Sequence, residues 1–276
     1  MNSTFLDKIV ASKRHRIEEA KRSVVDIVAL SREAFELSTK KKPNRLQAAL
    51  RRTDRINIIA EFKRASPSKG IINDRIEPVD VAKMYANGGA CAISVLTEED
   101  HFLGSLNDLR RIRENVDLPI LRKDFLIDDY QIVESAAAGA DAVLLIVSIL
   151  SPESLTRLQK LANDFGLDAV VEVHDLEELE IAVEADARII GVNNRNLETF
   201  EVSLDTSRDL IEHAPIGSTV ISESGISSSE QIAELRRIGY SGFLIGESLM
   251  RSNDSESLLK ELTSFDGDVL EVSGSQ

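Results

Sequence analysis

From residue 56 onward, short apolar runs alternate with stretches in which apolar residues recur every three or four positions. The runs INIIAEF (56–62), CAISVL (91–96), PILRK (119–123), AVLLIV (142–147), AVVEV (169–173), IIGVN (189–193), TVISES (219–224) and GFLIG (242–246) read as strands. Many are apolar without alternation, as expected of strands covered on both faces. Between and after them the spacing predicts helices near 78–87, 105–115, 129–138, 152–165, 175–184, 205–213, 228–238 and 254–264. Ser151-Pro152 opens one with proline in its first turn, and Gly139 and Gly166 follow the ends of two others. Residues 5–52 show no strand pattern; helices are expected over 5–21, near 31–38 and near 45–51, with Pro43 breaking the region.

Strands alternating with helices indicate βαβ units and a parallel sheet, so the class is α/β. Eight units in roughly 220 residues fit a (β/α)8 barrel (a TIM barrel) better than a doubly wound sheet. No G-x-G-x-x-G follows the first strand, which weakens the dinucleotide-fold alternative. The expected organisation is an N-terminal helical extension over 1–52 packed on the barrel, a barrel over 53–265 and a disordered tail over 266–276. The extension is also a candidate lid over the barrel mouth.

In such barrels the carboxyl ends of the strands build the active site. Those ends carry Glu61 with Lys63, then Lys123, Glu172, Asn193 with Arg195, Glu223 with Ser224, and Gly246 with Glu247. Glu61 and Lys63 share a strand face while Phe62 points the other way. Taken alone, AEFKRASPSKG (60–70) reads equally as a structural ion pair capping a strand. Lysines opposed to glutamates in a low-dielectric mouth shift one another's pKa, which is how acid–base pairs are tuned. The seventh and eighth ends, ISESGI and LIGES, bring Ser, Gly and a helix start together, an arrangement suited to binding phosphate through backbone N–H groups. Either motif alone also fits a tight turn.

Composition narrows the classes. A formal charge of −14 argues against nucleic acid as a partner. The basic clusters Lys40–Lys42 with Arg45, and Arg51–Arg52, read as solvated helix ends. The longest apolar run is too short to span a bilayer, and MNSTFLDKIVASKRHR lacks a signal-peptide core, so no membrane association and a cytoplasmic location are expected. One cysteine, Cys91, excludes an internal disulfide and reads as a small buried hydrophobe. His15, His101, His174 and His213 show no metal-ligand spacing, and no metal is expected. His174 falls near the mouth after the fifth strand, but beside Asp175 it equally begins the next helix.

In order along the chain, IIAEFKRASPSKG, SVLTEEDHFLGS, PILRKDFLIDDYQI, GADAVLLIV, VVEVHD, IGVNNRNLETF, ISESGI and FLIGESLMR resemble indole-3-glycerol phosphate synthase, the ring-closing enzyme of tryptophan biosynthesis. The resemblance runs from about residue 5 to 262. It implies a carboxy-lyase that converts 1-(2-carboxyphenylamino)-1-deoxyribulose 5-phosphate to indole-3-glycerol phosphate, carbon dioxide and water, without a cofactor. Carried over residue by residue, Lys123 is the general acid, and Glu172 and Lys63 serve later proton transfers. Glu61 orients Lys63, and Asn193 and Glu223 hold sugar hydroxyls and the catalytic amines. Arg195 steers the substrate carboxylate. Phe102, Phe125, Leu144, Leu197 and Phe200 form the pocket for the anthranilate ring, though each also fits ordinary core. Phosphate falls to Ser66, Ser224, Gly225, Gly246 and Glu247, the last through its backbone with its carboxylate turned away. The partner is thus a small phosphosugar–anthranilate, and the oligomeric state is left between monomer and homodimer. Two other readings stay open: a Schiff-base phosphosugar lyase using Lys123 as nucleophile, and a non-catalytic phosphosugar-binding barrel.

Overall fold

Eight parallel strands pair side by side until the last meets the first: β1 (Ile58–Phe62), β2 (Ala92–Leu96), β3 (Ile120–Lys123), β4 (Ala142–Ile146), β5 (Asp168–Val173), β6 (Ile189–Asn193), β7 (Thr219–Glu223) and β8 (Gly242–Ile245). Closure is made by β1, which pairs Ile58 with Phe243 on one side and Ile59 with Ala92 on the other. The computed structural model describes residues 4–23 and 27–264; the tail expected over 266–276 lies outside them. All eight strands fall within two residues of the expected runs.

Strand alternation sorts the apolar residues into two cores. Ile58, Phe62, Ile93, Val143, Val171 and Phe243 face outward into the layer beneath the helices. Ile59, Leu121, Leu144, Val170, Ile189, Ile221 and Leu244 fill the barrel interior. The outer layer is made by α4 (Pro78–Asn87), α5 (Leu106–Asn115), α6 (Asp129–Ala137), α7 (Pro152–Asp164), α8 (Leu176–Glu184), α9 (Asp205–Leu210), α10 (Ser229–Ile238), α11 (Glu247–Arg251) and α12 (Ser255–Thr263). Ser151 caps α7 by accepting from the Ser154 backbone N–H. The helix expected over 205–213 tightens into a 3-10 turn at Ile211–His213. The five-residue α11, and a small antiparallel hairpin joining Ala65–Ser66 to Gly70–Ile71, were not expected from the pattern. Among the described residues no helix is long and apolar enough to cross a membrane.

Three helices numbered ahead of these, α1 (Phe5–Ser23), α2 (Ile27–Lys40) and α3 (Arg45–Leu50), strap the barrel from end to end. Across the carboxyl mouth lies α1, with Ile9 in the interior core and Lys13 Nζ 2.7 Å from Asp124 Oδ1, both buried. Along the outside, α2 packs on α6, and Lys41 Nζ just beyond it donates to the Gly139 and Ala140 carbonyls. At the amino-terminal end of the strands, α3 inserts Leu46 and Leu50 into the interior core. Its first-turn donors on Leu46 and Gln47 reach Asp168 Oδ2, at the start of β5, at 2.9 and 3.1 Å. A carboxylate at a helix N-terminus meets both the unpaired N–H groups and the dipole.

Because Leu50 is fully enclosed far from the carboxyl mouth, Leu50→Ala is expected to remove roughly 2–5 kcal/mol of stability. Urea unfolding should show a lower midpoint with an unchanged slope.

Candidate active site

At the carboxyl mouth a cavity of about 680 Å³ opens, with a charged floor and an apolar roof. The floor comes from inward positions one step past the last apolar layer: Glu61 on β1, Lys123 on β3, Glu172 on β5 and Glu223 on β7. These are alternate strands, so their side chains stand in one layer. Lys123 Nζ is 2.5 Å from Glu223 Oε2 and 3.2 Å from Glu172 Oε2. Lys63, just past β1, pairs through Nζ with Glu61 Oε1 at 2.5 Å. Asn193 Nδ2 donates to Glu172 Oε1 at 3.1 Å and its Oδ1 accepts from the Arg195 backbone N–H at 3.0 Å.

Room for two of these carboxylates is made by missing side chains. A Cβ on Gly191 would strike Glu223 Oε1, and one on Gly246 would strike Glu61 Oε1. Ser224 and Gly225 follow β7 at φ +67 and +80. A serine in this left-handed region is strained by of order 1 kcal/mol or more, and such strain gathers at functional turns. Beside it, a Cβ on Gly225 would meet Val202 Cγ1 at 2.5 Å.

Burial opposes ionisation of every floor group, and what remains depends on neighbours. For Lys123 burial is outweighed by Glu223, Glu172 and Glu61, which hold its ammonium well above the ordinary range. Glu172 is likewise buried, yet Lys123, His174 and Asn193 keep its carboxyl well below its usual value. Glu61 is lowered by Lys63 and Lys123 against the same burial. At Glu223 burial wins, helped by the repulsion of Glu172 and Glu61, and its carboxyl is pushed up to about 7 despite Lys123.

The roof and walls are apolar. Phe102 and Phe125 sit with ring centroids 6.3 Å apart, beside Leu144 and Leu197. From α1, Phe5 packs edge-on against Phe200 at 5.4 Å and His101 at 5.1 Å, and Leu6 and Ile9 complete the lining. On the opposite side lie Ser66, Lys69, Ser224, Gly225, Gly246 and Glu247. The Glu247 carboxylate, expected to turn away from an anion, is held by Arg251 at 3.2 Å, with Lys69 and Arg195 at 3.9 and 4.0 Å. Arg195 also donates to the Phe200 carbonyl.

Every candidate site residue singled out from the sequence therefore lines this cavity except Glu223, which sits behind Lys123 and reaches the cavity through that ammonium. Arg64, in the same charged stretch as Glu61 and Lys63, leaves the site to bond Asp108 and lie over the Phe62 ring. Cys91 is buried and its thiol pushed up to about 12, consistent with a core residue. Sequence reasoning missed Phe5, Leu6, Ile9 and Lys69. The first three form an apolar i, i+1, i+4 face on α1, a signal that marks a packed surface without saying against what.

The profile of the family described as indole-3-glycerol phosphate synthase matches residues 6–262. The indole-3-glycerol phosphate synthase of Carboxydothermus hydrogenoformans is 46% identical over 265 residues, covering 94% of this chain and 99% of the relative. That of Ruminiclostridium cellulolyticum is 46% identical over 258 residues, with 94% and 98% covered. Among solved structures, 3-hexulose-6-phosphate synthase from Salmonella typhimurium superposes with a TM-score of 0.62 at 14% identity, over 75% of this chain and 96% of that one. Thiamine phosphate pyrophosphorylase from Pyrococcus furiosus gives 0.58 at 19%, over 79% and 95%. At such identities these two likenesses speak for the barrel alone.

A carboxyl whose folded-state pKa is raised favours the fold while protonated, and that contribution is lost as pH rises through the folded value. For Glu223 the window runs from its ordinary value near 4.5 to about 7. Glu223→Gln should therefore gain melting temperature relative to the wild type as pH is raised from 5 to 8. Differential scanning calorimetry across that range would show parallel curves if Glu223 did not titrate there.

Proposed function

The chain belongs to the indole-3-glycerol phosphate synthase family of carboxy-lyases, and from that premise we propose the reaction and the division of labour among its residues. The substrate is 1-(2-carboxyphenylamino)-1-deoxyribulose 5-phosphate. Its aromatic carbon closes onto the sugar ketone, the carboxyl group leaves as carbon dioxide, and the hydroxyl leaves as water to restore aromaticity. The observation that carries this reading is the Lys123 ammonium fixed between two carboxylates on the floor of a cavity whose other walls are aromatic and aliphatic.

Ring closure builds negative charge on the ketone oxygen. A preorganised ammonium meets that charge more strongly in the transition state than in the ground state. Lys123 is held in place by Glu223 and Glu172, so little reorganisation is needed when the oxygen develops charge. The iminium formed by closure accepts the electrons released with carbon dioxide, so that step calls on the chain for orientation only. Glu172, kept ionised by Lys123, His174 and Asn193, is the base for the ring proton lost in the last stage. Lys63, paired with Glu61, is the acid for the departing hydroxyl. The division follows from what each group can do: a carboxylate held ionised accepts, and an ammonium donates.

Phe102, Phe125, Leu144, Leu197 and Phe200 take the anthranilate ring, with Arg195 on its carboxylate. The phosphate goes to Ser66 and to the turns at Ser224-Gly225 and Gly246-Glu247. A Schiff-base mechanism needs Lys123 as a neutral amine, and its raised pKa works against that.

With purified protein and the carboxyphenylamino-ribulose phosphate, indole fluorescence should appear with carbon dioxide and without added metal or cofactor. Lys123→Ala and Glu172→Gln should each lose on the order of 10²–10⁴-fold in kcat while keeping the wild-type circular dichroism spectrum. Near wild-type turnover in either would remove its assigned role. Borohydride should trap no adduct, since a reduced lysine–substrate conjugate requires the imine.

A further inference from the structure

One titratable side chain touches the charged floor and has entered so far only as a neighbour that lowers the Glu172 carboxyl. His174 follows β5 directly and is largely enclosed, wedged between the floor and the first turn of α8. Its Nε2 lies 3.3 Å from Glu172 Oε1 and its Nδ1 lies 2.9 Å from Glu178 Oε2. We propose that His174 is a positioning residue carried as an imidazolium, which pins Glu172 in its ionised form and aims it at Lys123; this rests on the reading of Glu172 as the proton-accepting group.

Donors and acceptors set the protonation of the ring. An ionised carboxylate only accepts, and a neutral imidazole has one N–H. A ring whose two nitrogens both face carboxylate oxygens can satisfy both only when each nitrogen carries a proton. The outer carboxylate is itself fixed. Glu178 Oε2 also accepts the His174 backbone N–H at 2.8 Å, and the Glu178 backbone N–H donates to Asp175 Oδ1 at 2.9 Å. Glu178 is thus set by the start of α8, and the ring is set by Glu178.

Charge balance points the same way. Counting Glu178 against the ring, four carboxylates, Glu61, Glu172, Glu178 and Glu223, face two ammoniums, Lys63 and Lys123, so a negative charge is left over even with Glu223 protonated. In a low-dielectric mouth the surplus negative charge is costly, and a proton on His174 supplies the missing positive charge at the carboxylate that the chemistry uses. The titratable and charged groups facing the ring are Glu172 from β5 and Glu178 from α8, with Lys123 from β3 on the far side of Glu172. Burial alone would lower the imidazole, but the Glu172 and Glu178 carboxylates beside it raise it to about 10. Glu172 in turn accepts at Oε1 from Asn193 and at Oε2 from Lys123, and the His174 ring adds a charge contact at Oε1 without a hydrogen bond. The proton stays on the ring throughout; His174 orients and does not exchange with substrate.

Two measurements test this. In the wild-type protein, ring 15N–1H correlation spectra should show one of the four histidines doubly protonated from pH 6 to beyond pH 8. That resonance should be the one that moves in Glu178→Gln, and loss of its second ring proton near pH 7 would overturn the proposal. In kinetics, His174→Asn removes the positive charge and keeps a polar side chain. The expected result is a kcat lower by on the order of tenfold to a hundredfold, a KM little changed, and an acid limb of the kcat/KM profile displaced upward by about one pH unit. The sign follows because Glu172 loses a neighbour that favours its ionised form. A merely structural histidine would lower the melting temperature and leave that limb in place, and such a result would sink the proposal. Glu172→Gln with turnover preserved removes the reading of Glu172 itself. Glu172→Gln inactive, with an unmoved limb in His174→Asn, removes His174 alone. If His174→Asn does not fold, the ring spectra of the wild type and Glu178→Gln decide.

Discussion

Three carboxylates and two ammoniums sit at one end of a barrel otherwise filled with isoleucine, leucine and valine, and the mouth is arranged to make that tolerable. Removing an ion from water costs several kcal/mol even after relaxation, while attraction between opposite charges about 4 Å apart returns about 4 kcal/mol at an effective dielectric near 20. No single pair covers its own desolvation comfortably, so each group here has more than one neighbour. Lys123 answers two glutamates, Glu172 is met by two donors and by the charge of His174, and Glu61 has both Lys63 and the field of Lys123. Glu223 is the member left over, and its carboxyl is the one whose pKa rises. The bare positions at Gly191 and Gly246 belong to the same solution, since a methyl group at either would push a carboxylate out of register with its partner.

The roof works by other means. Its rings and aliphatic chains come from α1 and from the segments after β2, β3 and β6, with Leu144 from β4, and the contacts of Phe5 with His101 and Phe200 tie several of them together. Most floor groups stand on strands, where hydrogen-bond ladders fix them; most apolar groups above them stand on connections and on a strapping helix, where side-chain packing fixes them. Lys13 and Asp124 join the two regimes, for Asp124 follows Lys123 directly and Lys13 belongs to α1. Chemistry is thereby assigned to the stiffer half and enclosure to the more adjustable half.

How much of this could be read from the residues follows from which forces are local. The strands were visible because a short apolar run ending in Glu, Lys or Asn suits a barrel strand that reaches a polar mouth and suits little else. Strand alternation then placed Glu61 beside Lys63 on the inner face. The short α11 was invisible because five residues of ESLMR carry no period. The hairpin at Ala65–Ile71 was invisible for the same reason. His174 was seen but not placed: the sequence offered a helix start or a mouth residue, and it is both, held by Glu178 from the helix and Glu172 from the strand. Phe5, Leu6 and Ile9 were legible only as an apolar face, because their partners lie some hundred residues or more away and no local pattern encodes that pairing. Glu223 was identified through its strand end, yet its seat behind Lys123 depends on the empty space at Gly191, which is a property of a neighbouring strand.

The strap has a bearing on the order in which the molecule can assemble. Leu46 is bonded to a carboxylate 122 positions ahead of it, and β1 completes the ring only against β8, near the far end of the chain. Contacts of such long sequence separation are slow to form, because loop-closure entropy is spent before they give anything back. During synthesis the three leading helices emerge first, amphipathic and without the surfaces they are shaped for. They must wait, exposed, until more than half the polypeptide has followed. The plug at one end and the roof at the other therefore rest on contacts that can close only after the strands they pack against have been made.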